Sequence, residues 1–317
     1  MTFAVTILGA GSATPTLTSH ASAQVVQLGS DYYLIDCGEG TQYRLLEQKI
    51  RPGRLKGIFI SHLHGDHYFG LFGLLTSLSL GNRKESLRLF GPKGLSEILA
   101  EIFRQSDTRL SYHLDFQEID AKITGLIYDA PTFSVSTLPL RHRIPCTGFL
   151  FREKIGERNL IKEKLLPTMS HETLRELKGG RNVLDENGET LFAYEEFTTP
   201  PLPARAYAYC SDTIFRPELT ACLKDVDCLY HEATFREEDL PRATKTHHST
   251  AGQAATLAKE AGVGKLLIGH FSSRYTEAAP SLAEARAVFA ETYLAEEGKT
   301  YSVESWLFNP WHPEIFS

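Results

Sequence analysis

Ile58-Phe59-Ile60-Ser61-His62-Leu63-His64-Gly65-Asp66-His67 is the stretch on which the reading of this chain turns. Ile58 to Ser61 reads as a short buried strand, and at its end four potential metal ligands fall within six residues. In an extended segment side chains alternate, so His62 and His64 lie on the same side and can share one metal. The turn after Gly65 redirects Asp66 and His67 toward a second. A solvated polar turn is the bland alternative, but imidazoles and a carboxylate beside a buried strand would then need other hydrogen-bond partners.

Outward from this motif, strands and helices alternate. Phe3 to Leu8 reads as a first strand closed by Gly9-Ala10-Gly11, and Val25 to Leu28 with Tyr32 to Ile35 as a hairpin around Gly29-Ser30-Asp31. Tyr68 to Leu80 has helix-like apolar content. Leu87 to Phe90, a helix near Gly94 to Phe103, and strands near Tyr112 to Glu118 and Phe133 to Leu138 continue the α/β pattern. Lys154 to Pro203 departs from it: the segment is charged, carries Gly179-Gly180 and Pro200-Pro201-Leu202-Pro203, and is expected to be an inserted arm of a single domain spanning 1–317. The alternation resumes with Ala206 to Tyr209, Val226 to Tyr230, a helix from Ala251 to Ala261, and Lys265 to Ile268. That helix has readable ends, since Thr250-x-x-Gln253 fits a capping box and Gly262 a stop. Tyr301 to Ser317, with Trp306 and Trp311, reads as a packed terminal segment.

Composition narrows the class. With 317 residues, 42% hydrophobic and 23% charged, the chain can bury a sizeable core, which excludes disordered and low-complexity classes. Tyr68 to Leu80 is too short to span a bilayer and Met1 to Pro15 lacks a basic leader, so a cytoplasmic protein with no membrane association is expected. Five cysteines without a C-x-x-C pair suggest reduced thiols. The net charge of −6 argues against indiscriminate phosphate-backbone binding but leaves local basic surfaces open.

His-Leu-His-Gly-Asp-His resembles the signature of the metallo-β-lactamase fold, a four-layer αβ/βα sandwich, and the other motifs resemble its tRNA 3′-processing branch, the ribonuclease Z family. Leu8 to Pro15 resembles the opening loop of that family and Asp36 to Gln42 its next motif. His231-Glu232-Ala233-Thr234, His248-Ser249-Thr250 with Gln253-Ala254-Ala255, and His270 to Tyr275 resemble three later ones. The resemblance implies that His62, His64 and His142 hold one zinc, that Asp66, His67 and His270 hold another, and that Asp212 bridges the two. Two zinc ions per chain are thus expected, manganese or another divalent metal being the alternative. Cys210-Ser211 stands where the family usually has Ser-Gly.

The implied activity is zinc-dependent endonucleolytic removal of 3′ trailers from precursor tRNA, by a homodimer in which one subunit's arm grips tRNA processed by the other. Asp66 would help deprotonate or orient the attacking water, and His248 would protonate the leaving 3′-oxygen. Glu232 is the candidate partner orienting His248, a surface ion pair being its other reading. Asp36 is expected to support the ligand loop through hydrogen bonds, and His247 to be an exposed neighbour. Ser272 and Arg274 are candidates for a scissile or flanking phosphate, with a structural ion pair as the alternative for Arg274. Arg152 to Arg181 holds eight Lys or Arg against five Glu, as a tRNA-gripping surface or a solvated insertion would. Two rivals remain: a hydrolase of a small ester, thioester or phosphodiester on the same fold, and a non-catalytic RNA-binding homologue.

Overall fold

The computed structural model describes residues 2–14 and 16–305. The expected packing of Trp306 and Trp311 lies outside the described residues. From the N-terminus run β1 (Phe3–Gly9), β2 (Ala23–Leu28), β3 (Asp31–Ile35), α1 (Thr41–Glu47), β4 (Leu55–Phe59), α2 (Gly65–Tyr68), α3 (Leu71–Leu80), β5 (Leu87–Pro92), α4 (Leu95–Gln105), β6 (Leu114–Ile119), β7 (Leu126–Asp129), β8 (Phe133–Pro139) and β9 (Thr147–Glu153). Shorter elements follow: β10 (Asn159–Leu160), α5 (His171–Lys178), β11 (Val183–Leu184), β12 (Thr190–Phe192), α6 (Tyr194–Phe197) and β13 (Thr198–Thr199). The rest comprises β14 (Ala206–Cys210), α7 (Thr220–Leu223), β15 (Cys228–Glu232), α8 (Leu240–Thr246), α9 (Ala251–Ala261), β16 (Lys265–Gly269), α10 (Ala279–Val288), β17 (Thr292–Leu294) and β18 (Thr300–Ser302).

Two seven-stranded sheets result, ordered β18-β1-β2-β3-β4-β5-β6 and β17-β16-β15-β14-β9-β8-β7. β3 to β6 run parallel, as do β14 to β17, and parallel strands need cover on both faces. On the outside, Leu45 of α1, Leu71 and Leu75 of α3 and Leu95 of α4 pack with Ile58 and Leu89, while Ala254, Ala255 and Leu257 of α9 pack with Leu229 and Ile268. Inside, the sheets meet through aromatic rings: Phe59, stacked on Phe90 at 4.5 Å, lies 5.4 Å from Phe149 and 5.3 Å from Phe151. Such rings contribute both buried area and offset or edge contacts. Helix, sheet, sheet and helix form the expected αβ/βα sandwich.

Boundaries shift where the backbone serves the site. β4 ends at Phe59, although Ile60 N–H still donates to Phe90 O at 2.8 Å, and the chain then turns into His62. The apolar run from Tyr68 breaks at Gly70, whose N–H donates to Cys37 O at 2.9 Å; a Cβ there would lie 2.0 Å from Gly38 O. α3 therefore starts at Leu71. β15 begins at Cys228 and carries His231 and Glu232 as its last residues, two positions beyond the expected strand end. α9 has both arms of the Thr250/Gln253 capping box and ends at Gly262 with φ 66°. Cysteines 37, 146, 210 and 228 are buried thiols, and Cys222 is half-buried.

Arg152–Ala204 with Ala130–Ser134 form a second compact unit. In it β10 pairs with β13 and β11 with β12, and Ser170 caps α5 by accepting Thr173 N–H at 3.1 Å. Arg158 donates to Thr198 Oγ1 at 2.7 Å, and its guanidinium lies 4.8 Å from the Tyr194 ring centre. Two-residue strands, and a helix whose one buried residue is Leu177, account for the weak periodicity of this stretch. No described helix is long and apolar enough to cross a membrane.

Candidate active site

Parallel strands present their carboxyl ends along one edge of a sheet, and ligands collect there. His62 to His67 follow β4, Asp212 follows β14 by two residues, Glu232 closes β15, and His270 comes directly after β16. His142 leaves β8 by three residues and His248 lies between α8 and α9. Both sheets therefore contribute.

The donor atoms fall into two sets. In the first, His64 Nδ1 is 3.1 Å from His62 Nε2 and 3.2 Å from His142 Nε2, and Asp212 Oδ2 lies 3.7 and 3.8 Å from those two Nε2 atoms. In the second, Asp66 Oδ2 is 3.4 Å from His67 Nε2 and 3.5 Å from His270 Nε2, while Asp212 Oδ1 lies 3.4 and 3.2 Å from the same atoms. Tetrahedral coordination with bonds of about 2.0–2.1 Å places neighbouring donors about 3.3 Å apart, so both sets are spaced for a small dication. Asp212 turns one oxygen toward each.

Hydrogen bonds on the far ring nitrogens fix which lone pairs face inward. His142 Nδ1–H donates to His247 O at 2.9 Å and His67 Nδ1–H to Asp36 Oδ2 at 2.7 Å. Ser61 Oγ gives its proton to Asp36, so at 3.0 Å it accepts from His62 Nδ1–H. Thr234 Oγ1 gives its proton to Glu232 and accepts from His270 Nδ1–H at 2.9 Å. Each of these four Nε2 atoms is thus an acceptor, and those of His67 and His270 are buried without a hydrogen-bond partner. Buried orphaned lone pairs beside two carboxylates fit a cation.

The electrostatics agree. Burial opposes a charge on Asp66 and on Asp212, yet the imidazoles of His67 and His270 hold both carboxyls well below their usual range. Burial lowers His62 well below an ordinary imidazole and His142 to about 4, which keeps both in the neutral, ligating form. Burial also opposes a charge on His67, but Asp212, Asp66 and Asp36 together raise it, so a positive charge is favoured at the point where those carboxylates converge.

Asp36 accepts from Ser61 N at 2.7 Å, Ser61 Oγ at 2.9 Å, His67 Nδ1 and Tyr209 OH at 2.7 Å, tying β14 to the ligand loop. Its φ of 55°, like the 60° of His270, lies in the left-handed region, a strain held by these bonds. His248 has a different partner. Its Nδ1 is 2.9 Å from Glu232 Oε1, and Glu232 is fully buried, accepting also from Thr213 N and Thr234 N. Burial opposes protonation of His248, but the Glu232 charge and hydrogen bond outweigh it and raise the imidazole to about 9. A cleft of about 450 Å³ opens over Asp66, His142, Asp212, His248 and His270, with Arg143 and Phe69 on its wall.

A family profile described as "Anti-Pycsar protein Apyc1" matches residues 3–156. A ribonuclease Z of Bacteroides fragilis is 45% identical over 305 residues, covering 95% of this chain and 99% of the relative. A ribonuclease Z of Cytophaga hutchinsonii is 46% identical over 303 residues, covering 96% and 97%. The chain belongs to the ribonuclease Z family. Among solved structures, the short form of human tRNase Z superposes with a TM-score of 0.70 at 28% identity, over 95% of this chain and 99% of the human one. As a member of the ribonuclease Z family the chain is a hydrolytic endoribonuclease of the metallo-β-lactamase fold.

Not every candidate residue of this chain reaches the cleft. Ser272 and Arg274 follow His270 but do not line it; the Arg274 guanidinium sits 3.8 Å from Asp239 and 5.7 Å from the Phe235 ring centre. His247 is half-buried at the left-handed cap of α8, not exposed, because its carbonyl is needed by His142. Thr234, Ser61, Tyr209 and Arg143 also serve the site, and their types and spacing in the sequence assign them no role. The alternating Ala-Tyr-Ala-Tyr of β14 was the available signal for Tyr209, since period two puts Tyr207 and Tyr209 on one face.

Proposed function

We propose that this chain removes 3′ trailers from precursor tRNA, leaving a tRNA 3′-hydroxyl and a 5′-phosphorylated trailer. The observation that carries this reading is a bridged pair of metal-spaced donor sets with the His248–Glu232 pair standing beside it, surplus to both. His62, His64, His142 and Asp212 would hold one ion, and Asp66, His67, His270 and Asp212 the other. Zinc suits the nitrogen and oxygen donors, with manganese as a competitor. When bound, two such ions supply Lewis acidity and ease the deprotonation of water.

The protein's own groups do the rest. Asp66, whose Oδ2 is held by Ala13 N–H at 2.8 Å, orients the attacking water at the cleft wall through its carboxylate and draws on its proton. As the new O–P bond forms, the bond from phosphorus to the 3′-oxygen breaks. His248, fixed at Nδ1 by Glu232, presents its other nitrogen to the departing oxygen and gives it a proton. Ser272 and Arg274, outside the cleft, suit a flanking phosphate. The basic Arg152 to Arg181 stretch would grip the tRNA body, in a cytoplasmic homodimer where each arm serves its partner's site. The test is cleavage of a 3′-extended precursor tRNA with both new ends mapped, beside a thioester substrate. Thioester hydrolysis without precursor cleavage would overturn the reading.

A further inference from the structure

The catalytic cleft is walled by three carboxylates, Glu39, Asp66 and Asp212, by four imidazoles, and by one guanidinium, that of Arg143. No other arginine and no lysine lines it among the described residues. Arg274, the arginine first expected to meet phosphate, lies outside the cleft and faces Asp239. Arg143 is exposed, and its guanidinium has neither an ion pair nor a hydrogen bond among the described residues, although Glu39 lines the same cleft. On an open surface an unpaired arginine would mean little, since such side chains are usually solvated. This one is built into the site.

Its backbone is held on both sides. Arg141 N–H donates to Thr213 Oγ1 at 3.0 Å and Arg141 O accepts from Ile214 N–H at 2.9 Å, which ties the segment to the loop after Asp212. His142 is fixed through Nδ1 to His247 O, and Thr147 N–H donates to Ser61 O at 3.1 Å, next to His62. Arg143 thus stands one residue, about 3.8 Å along the backbone, from a member of the first donor set. Its charge also reaches both sheets. On His64, burial opposes protonation, Asp212 and Asp66 favour it, and Arg143 opposes it; on His248, burial and Arg143 oppose what Glu232 and Asp212 favour. A phosphate lying between the first donor set and His248 is within range of the same guanidinium.

We infer that Arg143 binds the scissile phosphate itself, at its non-bridging oxygens. The inference rests on the trailer-removal reading, in which phosphorus sits between the water held by Asp66 and the acid His248. A phosphodiester is an anion whose oxygens match the planar fork of a guanidinium. As water adds to phosphorus and the bond to the 3′-oxygen breaks, negative charge grows on the non-bridging oxygens. A cation already aimed at them stabilises that state more than the bound substrate. Arg143 gives up no proton, because a guanidinium stays charged; the proton that reaches the 3′-oxygen is still that of His248. A phosphate one linkage to either side is the competing occupant.

The experiment uses the full-length, metal-loaded protein. Arg143→Ala should keep its metal by elemental analysis and lose about 10–100-fold in kcat/KM, the worth of a hydrogen bond to a charged group. The loss should be alike on precursor tRNA and on a nitrophenyl phosphodiester, because the small substrate has no phosphate but the scissile one. Arg143→Gln, which keeps a donor without the charge, is read in the same way should the alanine variant lose metal. Precursors with one neutral methylphosphonate, at the scissile linkage or at the linkage on either side, then serve as inhibitors of the small-substrate reaction. At the scissile linkage the methyl group should weaken inhibition of the wild type about tenfold more than inhibition of Arg143→Ala, and at the flanking linkages it should affect the two proteins equally. A loss confined to precursor tRNA, or a difference between the proteins that falls only at a flanking linkage or at none, overturns the inference while trailer removal stands. No precursor cleavage at all by the wild type overturns both.

Discussion

Asp36→Asn should weaken both the fold and the metal site, and the structure sets by how much. Oδ2 of Asp36 accepts from Ser61 Oγ, His67 Nδ1 and Tyr209 OH, and Oδ1 from Ser61 N, in a site with 0% exposure. An amide has one accepting oxygen. With that oxygen placed where three donors converge, its NH₂ faces the Ser61 N–H, and one buried donor is left unpaired at a cost of about 1–3 kcal/mol. Metal-free protein should unfold at correspondingly lower urea, measured after chelator treatment so that bound metal does not contribute. His67 then donates to a neutral oxygen, which makes its ring a poorer base, and zinc affinity should fall about 10–100-fold in competition with a chromophoric chelator. Tyr209→Phe is the control: it removes one donor, leaves the carboxylate charged, and should lower stability with little change in affinity. An Asp36→Asn protein matching the wild type in both urea midpoint and zinc competition would refute the reasoning.

Three further outcomes are expected. Asp212→Ala should lose metal, since one oxygen faces each donor set, and elemental analysis showing full dinuclear occupancy would remove Asp212 as the bridge. His248→Ala should keep its metal but cleave precursor tRNA about 10²–10⁴-fold more slowly, while a nitrophenyl phosphodiester, whose leaving group needs little protonation, loses much less; equal losses on both substrates would point away from an acid. Replacing Lys154 to Pro203 by a short linker should raise KM for precursor tRNA and spare the small phosphodiester, and a parallel fall in both would make that segment structural.

Local chemistry in the sequence foretold local structure. Thr250, Gln253 and Gly262 bound α9 where the capping rules put them, because a cap is satisfied by residues within one turn. The strand ends were less readable. β15 reads as ending before His231 since polar residues usually leave a sheet, yet Glu232 is buried there with its oxygens satisfied by Thr213, Thr234 and His248. Those partners are distant in sequence, or polar in ways periodicity does not weigh. α10 leaves little trace in the sequence because its small residues give little contrast between faces, with Ser281 and Ala285 alone fully buried. Of the site, the His62 to His67 cluster is visible in one window. Asp212, His142 and His270 individually resemble a cap, a surface residue and a core residue, and it takes the family's motif order, or the two-sheet geometry, to bring them together.

The donors around Asp212 are drawn from positions 62 to 270 of one chain and from both sheets. During synthesis the ribosome releases His62 to His67 early, together with the helices that pack on the first sheet, and β16 with His270 only after β14 and β15 of the second. An emerging chain therefore lacks Asp212 and His270 while it is still tethered among transfer RNAs. A message cut short before position 270 yields a product that has Asp66 and His67 but lacks His270 to complete the second donor set, however well its first sheet folds. On the proposed assignment of these donors, competence to cleave RNA is thus withheld until both sheets have been made.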